Sequence, residues 1–322
     1  IGAIAFFGWL PGKVDADQNP VLAHQPYDIA PEAAALHERL IVADLHADTL
    51  LWKRDPQKRH ARGQTDLPRY RDGGVTLQVF SAVTKSPRGQ NYDENTGGSD
   101  NITLLAFGQL WPIRTWGSLY ERAAYQAERL QKIEHDDPDF MIIRTRSDVG
   151  TLLALHAENP RLMGGLLAME GAHPLEGELA KLDRLYDAGY RMMGLQHFFD
   201  NELGGSLHGV SNEGLTDFGR QAVARALEKN MIIDVAHSSP AVVEDVLAMT
   251  EVPLVVSHTG IHSLCAVKRN IPDELIARIA ERGGLIGIGY WEDVTCDASP
   301  EGIARVIYYA ATRFGAEHVA LG

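Results

Sequence analysis

Ile41–Leu50 reads IVADLHADTL, an apolar run of β-type residues that breaks into His46-Ala47-Asp48. In an extended strand residues i and i+2 point to the same side, so this imidazole and this carboxylate are presented together at the strand's end. That is half of a metal site, and it asks whether other strands of the chain end in ligands at the same level.

Seven further apolar runs answer: Val75–Val83 (VTLQVFSAV), Met163–Met169 (MGGLLAM), Tyr190–Gln196 (YRMMGLQ), Met231–Ala236 (MIIDVA), Val252–Ser257 (VPLVVS), Leu285–Tyr290 (LIGIGY) and His318–Leu321 (HVAL). Several are nearly continuous rather than alternating, the pattern of parallel strands covered on both faces. Helix signals lie between them. Thr216 caps a helix with Phe218, Ala222, Ala226 and Leu227 on one face, ending near Asn230. Pro240, Pro272 and Pro300 stand at first helical positions, with Ser239 and Ser299 as N-caps, and Gly283 and Gly315 stand at C-caps before the seventh and eighth strands. Eight strands alternating with helices predict an α/β fold, a (β/α)8 TIM barrel spanning residues 40–322, with a doubly wound open sheet as the competing arrangement.

Two connections are long. Residues 84–162 form an insertion that holds the Gly/Asn/Asp-rich piece RGQNYDENTGGSDN (Arg88–Asn101) and an amphipathic helix around Ser118–Ile133. The other runs from Phe198 to Leu215. Both are expected over one mouth of the barrel, and loops of this length in a compact fold are usually functional. Residues 1–39 stand apart as an apolar segment and linker. IGAIAFFGWLP is too short to span a bilayer but suits a signal-peptide core, the outer end of a signal anchor, or a short segment packed on the domain. Lys13–Tyr27 reads as polar linker.

A net charge of -13 with no cluster of Lys and Arg argues against nucleic acid as a partner, because phosphate contacts need such clusters. At 45% hydrophobic and 322 residues the chain can bury a large core. Two cysteines, Cys265 and Cys296, are too few for a disulfide scaffold and lack zinc-finger spacing; they are separate thiols or one bridge.

Barrel enzymes carry chemistry at the C-terminal ends of their strands. There the first strand offers His46 and Asp48, the third Glu170, the fourth His197, the fifth His237 and the sixth His258. Imidazole nitrogen and carboxylate oxygen are the ligands of hydrolytic zinc, and a carboxylate arriving from a third strand can serve two metals. No G-x-S-x-G elbow exists and no cysteine ends a strand, which counts against a covalent nucleophile.

DLHADTL, MEGAHPL, GLQHF, IDVAHSS and VSHTGIHSLCAVKRNIPDELI together resemble, in order and spacing, the motifs of the membrane (renal) dipeptidase family, zinc peptidases with an amidohydrolase-like barrel. The resemblance covers roughly Leu40–Gly322. It implies two zinc ions, one on His46 and Asp48, the other on His237 and His258, with Glu170 bridging them. It implies that His197 stabilises the oxyanion and that Arg269 receives the substrate's terminal carboxylate. His173 is read as supporting or structural, and His318 enters the opposite end of its strand. The implied activity is hydrolysis of dipeptides by metal-bound hydroxide, with a D-residue accepted at the C-terminal position. A related metal-dependent hydrolase of a lactam, a lactone or a dedicated biosynthetic peptide is the alternative.

The resemblance also places a proton-accepting aspartate, in a D-F-D-G-like turn, just beyond HVALG. The end of the last strand and the closing helix are therefore expected outside this sequence; otherwise the barrel is a catalytically impaired binding module. Cys265 and Cys296 fall where mammalian relatives carry a disulfide, implying export to an extracytoplasmic compartment, with membrane anchoring through residues 1–10 and a homodimer as further expectations.

Overall fold

The computed structural model describes residues 5–21 and 23–322. Nine parallel strands form the sheet: β1 (Val42–Ala47), β2 (Val75–Val83), β3 (Phe140–Ile142), β4 (Met163–Glu170), β5 (Tyr190–Gly194), β6 (Ile232–Asp234), β7 (Val255–Thr259), β8 (Leu285–Ile288) and β9 (Val319–Leu321). Their order is β2-β1-β9-β8-β7-β6-β5-β4, and β2 pairs again with β4. That last pairing runs in register from Leu77↔Gly164 to Val83↔Glu170 and closes the ring. The eight apolar runs are thus the eight staves of a TIM barrel, and closure removes the open-sheet alternative.

β3 is an addition that the sequence reading did not contain. It pairs with β4 at Met163–Gly165, while β5 pairs with the same strand at Leu167–Met169. β3 fills the lower half of an edge whose upper half belongs to β5, at the end of the barrel away from the strand C-termini.

The helices begin where the sequence sets them. Thr216 Oγ1 accepts from Gly219 N, Ser239 Oγ from Val242 N and Ser299 Oγ from Gly302 N. Each cap stabilises its helix by about 1 kcal/mol. Pro272 differs: with ψ 140 it is the N-cap of the helix Asp273–Glu281 and not its first residue. Its extended ψ ends the preceding loop, and a missing N–H costs nothing at either position. These helices bury Ala222, Val223 and Ala226, then Val242, Val243 and Val246, then Leu275, Ile276 and Ile279 against the staves.

The insertion after β2 is ordered by one buried cation. Arg122, in the helix Leu119–Asp136, donates to Thr115 O, Thr84 O, Asp100 Oδ2 and Thr103 Oγ1 at 2.6–2.8 Å. It fastens both ends of the loop 86–100 over the barrel mouth.

Part of the apolar segment Ile1–Leu10 lies outside the described residues. Beyond it, Phe6 and Phe7 pack on Phe107, with ring centroids 5.6 and 5.1 Å away. The helix Leu10–Gln18 replaces the expected linker, and its Asp15 is buried between Arg54 (3.0 Å) and Arg62 (2.7 Å). Among the described residues no helix is long and apolar enough to cross a membrane. Cys265 and Cys296 form a disulfide, closing a separation of 31 residues between the connections after β7 and β8. Closing such a loop is worth about 3 to 4 kcal/mol in the chain-entropy model.

Candidate metal centre

β4 ends on Glu170, and Gly171 turns the chain away at once with φ +78. A Cβ there would stand 2.6 Å from the His173 ring and 3.1 Å from His197 Cβ, so glycine is required by both backbone and space. The Glu170 carboxylate is buried at the centre of the mouth. Its Oε2 lies 3.7 Å from His46 Nε2; its Oε1 lies 3.0 Å from His237 Nε2, 3.3 Å from His258 Nε2 and 3.3 Å from His197 Nε2. Asp48 joins through His46 at 3.4 Å. His46 and His258 stack with centroids 3.7 Å apart.

The five other residues singled out at strand ends therefore gather around the Glu170 carboxylate, Asp48 by way of His46. His46 and His258 lie in the last turns of β1 and β7, whereas His197 and His237 follow β5 and β6. The donor atoms of His46, Glu170 and His258 lie within 4.8 Å of one another, as do those of Glu170, His197 and His237. His173 stays apart, stacked on Phe199 at 4.5 Å. His318 Nδ1 meets Gly284 O at the far end of the barrel.

The donor set fits a cation. Glu170 Oε2 and Asp48 Oδ1 are buried with no hydrogen-bond partner, as are His46 Nδ1 and His237 Nδ1. Bare buried acceptors are costly unless a positive charge meets them. Burial disfavours a proton on His46, yet the Glu170 and Asp48 carboxylates outweigh it and raise its pKa to about 9. Burial pushes Glu170 up, but His197, His46 and the hydrogen-bonding His237 and His258 hold it well below the usual carboxylate range. Burial, reinforced by Arg269, keeps His237 far below its ordinary value; burial and then His46 do the same for His258. The neutral imidazoles of His237 and His258 facing an ionised carboxylate suit metal binding, and His46 would exchange its proton for the cation.

Two rings are aimed by their second nitrogen. Ser257 Oγ donates to Asp234 Oδ2 at 2.6 Å and meets His258 Nδ1 at 2.8 Å, so that Nδ1 carries the proton and Nε2 presents its lone pair inward. His197 Nδ1 donates to Lys85 O at 3.2 Å, which turns Nε2 toward Glu170.

Arg269 is fully buried and donates to Ala236 O (3.0 Å) and His258 O (2.6 Å). Burial lowers its pKa to about 10, so it is still charged at neutral pH. Its guanidinium lies 5.7 Å from the Trp291 ring and lines the same cavity as the cluster, a space of about 820 Å³.

Sequence reasoning missed Tyr92, Trp291 and His208. Trp291 Nε1 donates to Tyr92 Oη at 3.0 Å across the cavity, joining the insertion to the connection after β8. His208 donates from Nδ1 to Tyr92 O at 2.8 Å and stacks on Phe198. Only the Gly/Asn-rich composition around Tyr92 hinted at a role.

Burial holds both His173 and His208 down at about 3, with His197 adding to the effect on the first and Arg269 on the second. Unfolded histidine binds a proton near pH 6.5. Between those values the unfolded chain holds more protons, so this stability is complete above about pH 6.5 and is lost as pH falls toward 3. In the chelator-treated protein, His208→Phe is expected to recover about 2 kcal/mol of the stability lost between pH 6.5 and 5. Urea midpoints at pH 7.5 and 5 measure this; an identical drop in both proteins would contradict it.

A model of the membrane dipeptidase family, peptidase family M19, matches residues 30–322. The dipeptidase aclJ of Aspergillus oryzae is 27% identical over 306 residues, covering 88% of this chain and 66% of its own length. Dipeptidase 3 of Mus musculus is 27% identical over 235 residues, covering 71% of this chain and 41% of its own. The chain thus spans less than two thirds of the length of these curated relatives. A metallopeptidase of Rhodobacter sphaeroides, solved with a phosphinate mimic of the dipeptide L-Ala-D-Ala, superposes with a TM-score of 0.67 at 23% identity, covering 88% of this chain and 85% of that one. At that identity the likeness shows the fold.

Proposed function

Because the chain belongs to the membrane dipeptidase family, peptidase family M19, we propose that it is a dipeptidase whose centre holds two zinc ions. One observation carries the reading: Glu170 turns one oxygen toward His46 and the other toward His237 and His258. A carboxylate divided in this way suits a bridge, with His46 and Asp48 on one side and His237 and His258 on the other. Nitrogen and oxygen donors without sulfur are typical of hydrolytic zinc. Metals bound there would polarise the scissile carbonyl and make water acidic.

The remaining steps fall to side chains of this chain. Arg269 takes the substrate's terminal carboxylate, which fixes the length of the peptide, since a longer chain has no carboxylate at that distance. His197, held by Lys85 O, turns Nε2 toward the carbonyl oxygen where charge develops. Acceptance of a C-terminal D-residue is part of the proposal, supported by the L-Ala-D-Ala mimic in the Rhodobacter sphaeroides neighbour. The disulfide favours an oxidising, extracytoplasmic compartment.

The test is metal content by mass spectrometry together with turnover of L,L and L,D dipeptides and a β-lactam, before chelation, after it and after zinc is restored. Two zinc per chain and dipeptide hydrolysis that returns with zinc are expected. Absence of bound metal, or hydrolysis of the β-lactam alone, would overturn the proposal.

A further inference from the structure

The cavity has two unlike ends. One holds the Glu170 cluster and Arg269; the other is walled by Phe6, Leu10 and Val14 of the N-terminal segment with Leu51, Trp52 and Ile102. Around the ring the staves run β1, β2, β4, β5, β6, β7, β8, β9. Arg269 is tied to Ala236 O, just past β6, and to His258 O in β7. The staves opposite β6 and β7 are β1 and β2. Leu51 and Trp52 follow β1, and Ile102 follows β2. The apolar wall therefore faces Arg269 across the metal centre.

The N-terminal helix belongs to that wall by construction. Asp15 is buried between Arg54 and Arg62, both in the connection after β1, and Gly63 N donates to Asn19 O at 2.8 Å. Leu10 and Val14 are not core residues: they stay 38% and 37% exposed while lining the cavity. Apolar side chains held in place yet left uncovered are what an apolar ligand group would cover.

We propose that the helix Leu10–Gln18, which precedes the family-matched residues 30–322, forms a specificity wall selecting a large apolar side chain on the amino-terminal residue of the substrate. The inference rests on the dipeptidase reading. A dipeptide with its carboxylate on Arg269 and its scissile bond over Glu170 must send its amino-terminal residue toward β1 and β2. There Leu10 and Val14 meet a leucine or phenylalanine side chain and leave a glycine uncontacted.

Leu10→Ala/Val14→Ala and, separately, Asp15→Asn are compared with the unaltered full chain on Gly-Ala, Leu-Ala and Phe-Ala. Both variants are expected to lose about tenfold or more in kcat/KM on Leu-Ala and Phe-Ala, mainly through KM, the scale on which apolar pockets discriminate. Gly-Ala turnover is expected to hold within about twofold, and it doubles as the check that each variant folds. Equal losses on all three dipeptides, or no loss on any, overturn the wall while leaving the dipeptidase reading intact. No hydrolysis of any of them by the unaltered protein overturns the reading and the wall with it.

Discussion

On the proposed reading, Glu170→Ala is expected to lower dipeptide turnover by more than about 10³-fold, beyond the loss of a single oxyanion donor, and to reduce bound zinc from the two equivalents proposed to less than one. Four imidazoles face this carboxylate, and it is the group most responsible for raising His46. Without it, His46 and Asp48 are left as one weak pair, and His237 and His258 lose the only carboxylate within reach among the described residues. Glu170→Gln keeps the volume and one acceptor oxygen but removes the charge, so it is expected to retain at most one metal. Metal analysis and kcat/KM on the same preparations decide the matter. A Glu170→Ala protein with two zinc and ordinary turnover would remove this residue from the centre.

Arg269→Met is the second large effect: KM for dipeptides is expected to rise about 10²-fold, the worth of a two-point charge-assisted contact, with kcat changing much less. Among the described residues the guanidinium meets only carbonyls, at Ala236 and His258, and no carboxylate. A charge kept buried with donors to spare is suited to an anion that arrives with the substrate. The substitution also leaves two buried carbonyls unmet, at about 1–3 kcal/mol each, so a fall in stability will accompany it. A dipeptide amide separates the causes. Damage to the fold raises KM for acid and amide alike, whereas loss of carboxylate binding raises it for the acid only.

The metal centre was legible because it rests on local rules. Period-two geometry joins His46 to Asp48, and an apolar run that stops at a polar residue marks a stave's end. Six such residues needed no knowledge of long-range contacts. β3 was not legible: three residues, Phe140–Ile142, carry no period, and their pairing exists only because half of one edge of β4 is free. Asp15 sits in a stretch polar enough to read as linker. Only Arg54 and Arg62, some forty residues on, make it a buried anchor. Tyr92 and Trp291 are separated by 199 residues, so no local pattern could pair them. Sequence alone thus picked out the residues that gather at the barrel mouth and left unread the walls around them.

The pairing of β2 with β4 has a consequence for how such a protein can change. The chain leaves the barrel at Val83 and returns through β4, and those two staves are hydrogen-bonded neighbours. The long excursion between them leaves at the C-terminal end of β2 and returns at the N-terminal end of its parallel neighbour, one strand length away. Its closure entropy grows only with the logarithm of its length, about 0.6 kcal/mol per doubling. Lengthening or trimming its outer loop, around residues 88–99, leaves the staves in place, whereas Lys85, the helix Leu119–Asp136 and β3 of the same piece are tied to the barrel. Substrate range can therefore diverge between relatives quickly, while the hydrolytic machinery stays where it is.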